Sequence, residues 1–68
     1  MNDLDIVLCS AADVQRWVGN MWGRPFCHAM TRIKLLRPAL FVRLTALWEP
    51  YLREMEAEGH WRGTHGKR

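Results

Sequence analysis

Acidic residues are missing from the middle of this chain: residues 14–48 contain no Asp or Glu. The same stretch holds Arg16, Arg24, Arg32, Lys34, Arg37 and Arg43, so its cations have no local counter-charge, and unpaired like charges repel one another in a compact state. Cysteine is equally scarce. Cys9 and Cys27 are the two present, and their separation offers neither a zinc knuckle nor a Cys-x-x-Cys redox pair. A reducing, cytoplasmic setting with free thiols is therefore expected. The first ten residues contain two acids, no Lys or Arg and a short apolar run, which does not make a secretory signal. Arg37 and Arg43 interrupt the longest apolar stretch, so no segment has membrane-spanning length.

What is present is apolar material in a small frame. The chain has 68 residues, a hydrophobic fraction of 49% and four Trp. A chain of this size buries only about 60% of the surface its unfolded form exposes, so one domain, residues 1–59, is the most it can build. Charge is blocked along it. Residues 1–13 carry Asp3, Asp5 and Asp13, residues 49–58 carry Glu49, Glu54, Glu56 and Glu58 against Arg53, and residues 60–68 form a basic tail with Arg62, Lys67 and Arg68. In a compact fold such blocks give faces of opposite sign, or neutralise one another internally. There are no internal repeats.

Apolar spacing predicts an all-α fold. Ser10 is a good N-cap with Asp13 three residues on, and Val14, Trp17, Val18, Met21 and Trp22 follow one helical face. The first helix is expected over about 11–22, ended by Gly23-Arg24-Pro25. Phe26, Ala29, Met30, Ile33 and Leu36 mark a second over about 26–36. Pro38 suits the first turn of a third, whose stripe (Leu40, Phe41, Leu44, Leu47, Trp48, Tyr51, Leu52, Met55) continues across Pro50. That predicts a helix over about 38–58 kinked at Pro50, or two helices nearly in line, because an interior proline removes one hydrogen bond and clashes with the carbonyl four residues back. Met1–Cys9, with Leu4, Ile6, Val7 and Leu8, reads as a short strand or an extended arm on the core. A lone strand would have no ladder partner here. The tail, with Gly63 and Gly66, reads as flexible.

Residues 37–48, Arg-Pro-Ala-Leu-Phe-Val-Arg-Leu-Thr-Ala-Leu-Trp, resemble the Pro-x-Ala-x-x-x-Arg-Leu-x-Ala-Leu-Trp helix of an uncharacterised actinobacterial domain family also found in phages and other mobile elements. That family enters the helix through His-Pro-Glu-Ala. Here Arg37 stands in place of the His, no Glu separates Pro38 from Ala39, and the family's upstream Trp-Trp pair is absent. Trp17-Val18 corresponds to a Trp-Val that precedes the family's core. The family has no established activity, so the resemblance implies an accessory protein of an actinobacterium or its phage and no chemistry.

The residues themselves argue against catalysis. Cys27 and His28 are adjacent in a helix, which separates a thiol from its base. Glu54 and Glu58 lie one turn apart but face no apolar pocket that would raise a carboxyl pKa. His60 and His65 have one half of a zinc knuckle spacing and Cys9 and Cys27 lack the other, so no metal or cofactor is expected, and no small-molecule substrate. Residues 33–48 could form a basic amphipathic membrane-surface helix, but the core needs that helix. A DNA-reading strand over residues 4–9 would carry Asp5, which phosphates repel, and a helix–turn–helix over the first two helices has only diffuse signals.

Interaction chemistry remains. Trp17, Trp22 and Trp48 fall on apolar stripes and are expected in the core. Arg32, Lys34 and Arg37 cluster near the second helix junction as a candidate patch, with Arg24 earlier. Trp61 beside Arg62 lies outside every stripe, and Trp and Arg are frequent hot-spot residues of protein interfaces. The expectation is a small three-helix, non-enzymatic protein that binds a protein partner or itself. The alternative is a nucleic-acid-binding accessory protein using Arg24, Arg32, Lys34, Arg37, Arg62, Lys67 and Arg68 against phosphates.

Overall fold

A computed structural model of the chain describes residues 1–59. The expectations placed on residues 60–68, including the tail and the roles of Trp61 and Arg62, lie outside the described residues. The fold is all-α, with five helices in chain order: α1 Asp3–Leu8, α2 Ala11–Gly19, α3 Arg24–Leu36, α4 Pro38–Leu47 and α5 Glu49–Ala57.

The N-terminal segment is a helix and not a strand or extended arm. Its cap explains why. The Asn2 side chain accepts from the Asp5 backbone N–H at 2.8 Å and the Asp5 carboxylate accepts from the Asn2 N–H at 3.4 Å, a reciprocal capping box. A helix satisfies its own backbone groups, which a strand without a neighbour cannot do. Ser10 likewise caps α2, accepting from the Asp13 N–H at 3.1 Å.

α2 stops three residues short of expectation, at Gly19, with Asn20 as its C-cap. Met21 and Trp22 therefore lie in the connection to α3. Gly23 does not end α2. It holds φ of 73° as the N-cap of α3, a left-handed conformation that costs glycine little. Pro25 sits in the first turn of α3, where its missing N–H is no loss. Arg37 joins α3 to α4 with φ of −140°, as the residue before a proline prefers, and Pro38 opens α4.

The long stripe is divided at Trp48, two residues before Pro50, so that Pro50 falls in the first turn of α5. The proline ring would meet the Ala46 carbonyl in a continuous helix. Trp48 absorbs that conflict with φ −106° and ψ 27°, while its N–H still bonds to Leu44 O (2.9 Å) and its carbonyl receives the Leu52 N–H (2.8 Å).

All five helices feed one core: Ile6 from α1, Val14 and Val18 from α2, Phe26, Ala29, Met30 and Ile33 from α3, Leu40, Phe41 and Leu44 from α4, Leu52 and Met55 from α5. α3 is the central helix, touching α1, α2 and α4. Trp17 and Trp48 are half-buried and pack against this core, as does Met21. Trp22 departs from expectation and is exposed; leaving the helix takes it off the apolar face, and its ring rests edge-on against Tyr51 with centroids 5.0 Å apart.

Candidate interaction surfaces

The three residues expected to form one basic patch are turned to three different places. Arg32 faces the start of α1: its Nε and Nη2 reach Asp3 Oδ1 at 3.0 Å, and Nη2 donates to Met1 O at 2.8 Å. Arg37 faces the end of α1, where Nη1 donates to Ile6 O at 3.2 Å and to Cys9 O at 2.8 Å. The last carbonyls of a helix have no partner within it and carry the negative end of its dipole, so a guanidinium there acts as an external cap. The Lys34 ammonium lies 5.7 Å from the centroid of the Phe41 ring, a cation–π contact. At about 100° per residue, Lys34 is some 160° around α3 from Arg32, which keeps the two from sharing a face. Arg24 is exposed at the first turn of α3.

The two arginines therefore clasp α1 at both ends, and Ile6 plugs it into the core between them. Arg32 finds its counter-charge here: it takes Asp3 from the N-terminal acidic block and does not reach across to the acidic run of α5. Within α5, Arg53 pairs with Glu49 at 2.8 Å, an exposed i,i+4 contact that adds little. Of the cations assigned to nucleic acid, Arg24 and Lys34 are the described ones not bound to α1; Arg62, Lys67 and Arg68 are outside the described residues.

The clasp gives α1 a consequence for the surface. Leu4, Val7 and Leu8 occupy one side of the helix at i, i+3 and i+4, and they are 63%, 47% and 72% exposed. Along α3, Leu35 lies between the two clasping arginines and is 75% exposed. Scattered exposed leucines are ordinary, whereas three on one short helix face make a patch.

A second surface lies between α2 and the corner where α4 meets α5. One depression of about 440 Å³ is lined by Ala12, Gln15, Arg16, Gly19, Asn20 and Trp48. Another of about 450 Å³ is lined by Gln15, Arg43, Leu44, Ala46 and Leu47. Gln15 lines both, so the two depressions adjoin, and together they are called the groove. Trp48 closes one end, its ring lying beside Gly19, where a Cβ would stand in ordinary contact 3.4 Å from Trp48 Cζ2. Sequence reading assigned Trp48 to the core and gave Gly19 no role. Their contact could not be read locally, since it joins two helices far apart in the chain.

Behind Trp48 the aromatic rings form a connected set. Phe26 lies 5.4 Å from Tyr51 and 5.9 Å from Trp48 by centroids, and the Tyr51 hydroxyl donates to Met21 O at 2.6 Å. Desolvation, and secondarily the Glu54 carboxylate, raises the Tyr51 pKa above the ordinary phenol value. The folded chain then keeps this proton at a pH where the unfolded chain has lost it, so stability falls as pH rises past the unfolded value of about 10. Urea unfolding compared between neutral pH and about pH 11 should show this loss, and Tyr51→Phe should reduce it while costing about 1 kcal/mol at neutral pH for the missing hydrogen bond. Burial also raises the Cys27 thiol pKa, which acts in the same direction at lower pH and is unchanged in that variant. Equal alkaline slopes in the two proteins would remove Tyr51 as the cause.

Cys9 and Cys27 are not joined by a disulfide, and no three His, Cys, Asp or Glu side chains among the described residues come together as metal ligands. No described helix is long and apolar enough to cross a membrane. Comparison with protein-family models, with curated proteins and with solved structures finds no match to this chain.

Proposed function

We propose that this chain is a small non-enzymatic interaction protein that associates with itself through the outward face of α1. The observation that carries this reading is the clasped helix. α1 has six residues, far below the length at which a helix holds by itself in water, yet Arg32, Arg37 and Ile6 fix it in a single position. What that arrangement displays is Leu4, Val7 and Leu8. An apolar face held rigidly outward loses little conformational entropy on docking, which suits a contact surface. A second copy is a suitable partner because a chain this small leaves apolar side chains that its own core does not cover. Cysteines without a disulfide fit action in the cytoplasm, and the resemblance of residues 37–48 would place the protein among actinobacterial or phage accessory proteins.

Light scattering on a size-exclusion column, run over a concentration series, tests the reading. The mass should rise with concentration for the natural chain and stay at the monomer for Leu4→Glu/Leu8→Glu. Both side chains are exposed, so circular dichroism of the variant should match the natural chain. A natural chain that remains monomeric at every concentration would sink the proposal.

A further inference from the structure

The groove between α2 and the α4–α5 corner carries arginines other than the two that hold α1. Its two walls carry Arg16 and Arg43, and no carboxylate lines it. Arg43 is exposed and has no ion-pair partner among the described residues. Arg16 holds Asp13 at 3.2 Å with both side chains largely exposed, a pair worth little and readily exchanged. Leu47, 55% exposed, and the half-buried Trp48 supply apolar surface between the arginines, and the Gln15 and Asn20 amides supply hydrogen-bonding groups.

An occupant that matches must be acidic and carry exposed apolar side chains at helical spacing. α5 is acidic, but Leu52 and Met55 point into the core and its remaining side chains are mostly charged. The segment 60–68 has the wrong sign, with Arg62, Lys67 and Arg68 and no acid. α1 satisfies both conditions, with Asp3 and Asp5 in its first turn and Leu4, Val7 and Leu8 outward. It cannot reach the groove of its own chain, because Arg32 and Arg37 hold it against α3.

We infer that α1 of one copy docks in the α2/α4 groove of the next, so that self-association is head-to-tail. The inference rests on the proposed self-association and adds the receiving surface. The exposed Asp5 carboxylate meets Arg43 while Asp3 stays on Arg32 of its own chain, and the Leu4/Val7/Leu8 face lies on Leu47 and Trp48. A head-to-tail contact is heterologous: each open assembly keeps one free α1 at one end and one free groove at the other until a ring closes. The contact is weak, because a specific and stable interface takes about 800 Å² per partner, roughly a sixth of the 4648 Å² this molecule exposes, and α1 is short.

Complementation decides the matter. Leu4→Glu/Leu8→Glu spoils α1 and leaves the groove, whereas Arg43→Glu spoils the groove and leaves α1. Each variant alone should be monomeric by light scattering at concentrations where the natural chain associates. An equimolar mixture should regain a species of twice the monomer mass and stop there, because only one productive contact is possible. The natural chain should pass beyond the dimer or close into a ring. If Arg43→Glu associates like the natural chain, a dimer of facing α1 helices replaces the groove contact; if each variant and their mixture stay monomeric, the groove is not the receiving surface for α1. A natural chain that never associates defeats the self-association reading itself, which separates the two failures. Arg43→Gln gives a second groove variant without charge reversal, and a partial loss is expected from it.

Discussion

Phe26→Ala should leave the chain largely unfolded at 25 °C. Phe26 is fully buried in the first turn of α3, and its ring touches those of Tyr51 and Trp48. It therefore joins the central helix to α5 and to the corner that precedes it. Removing a buried phenylalanine costs about 3–5 kcal/mol. At about 0.05–0.15 kcal/mol per residue, a chain this size has about 3–10 kcal/mol in all. The loss is comparable with the whole. A smaller protein cannot spread it, since no second core exists to hold the remainder. Phe26→Leu keeps most of the volume and should cost under about 1.5 kcal/mol. Far-UV circular dichroism and urea midpoints for the two variants measure the difference. An alanine variant within about 1 kcal/mol of the natural chain would show that the aromatic cluster is not where the helices are joined.

The second large effect is expected at Arg37. Arg37→Met keeps the aliphatic stem and removes the guanidinium that caps α1. Hydrogen bonds from charged donors are worth about 1.5–3 kcal/mol each, but water can reach these half-buried carbonyls and replace part of the loss. A net cost of about 2–3 kcal/mol follows. Its distribution matters more than its size. α1 keeps only Ile6 and the Arg32 contacts, so it should detach locally while α2–α5 stay folded. Hydrogen exchange should speed at the amides of residues 6–9 and change least in α3. Arg37→Lys offers a point charge in place of a planar fork and should recover only part of the protection. Unchanged exchange in α1 would mean that Ile6 alone holds the helix. Because the α1 face is the proposed contact surface, Arg37→Met should also weaken association although the arginine lies outside the contact.

Local reasoning carried α2, α3 and α4 well. Val14 and Val18, Phe26 to Ile33, and Leu40 to Leu44 repeat at helical spacing, and each such run is buried. Ser10 and Pro38 mark helix starts through backbone chemistry that involves only neighbouring residues. The same kind of signal was present for α1 in Asn2 and Asp5. It was obscured because Leu4, Ile6, Val7 and Leu8 are too few and too dense to separate a period of two from one of 3.6. Trp22 was assigned to a helix face that the chain had already left.

The sequence by itself determined a small all-α fold, most of its core (Ile6, Trp22 and Leu47 were misplaced) and the breaks at Pro38 and near Pro50, because dihedral preferences and apolar periodicity act within a few residues. Only the tertiary structure decided what the central cations do. The acid-free block suggested a basic surface, yet Arg32 and Arg37 close onto backbone and carboxylate atoms from the first nine residues, on a helix packed against α3. Contacts across about thirty residues depend on how whole helices pack, and no local pattern encodes that. The same holds for the groove, where Gly19 and Trp48 meet because α2 and the α4–α5 corner are laid side by side.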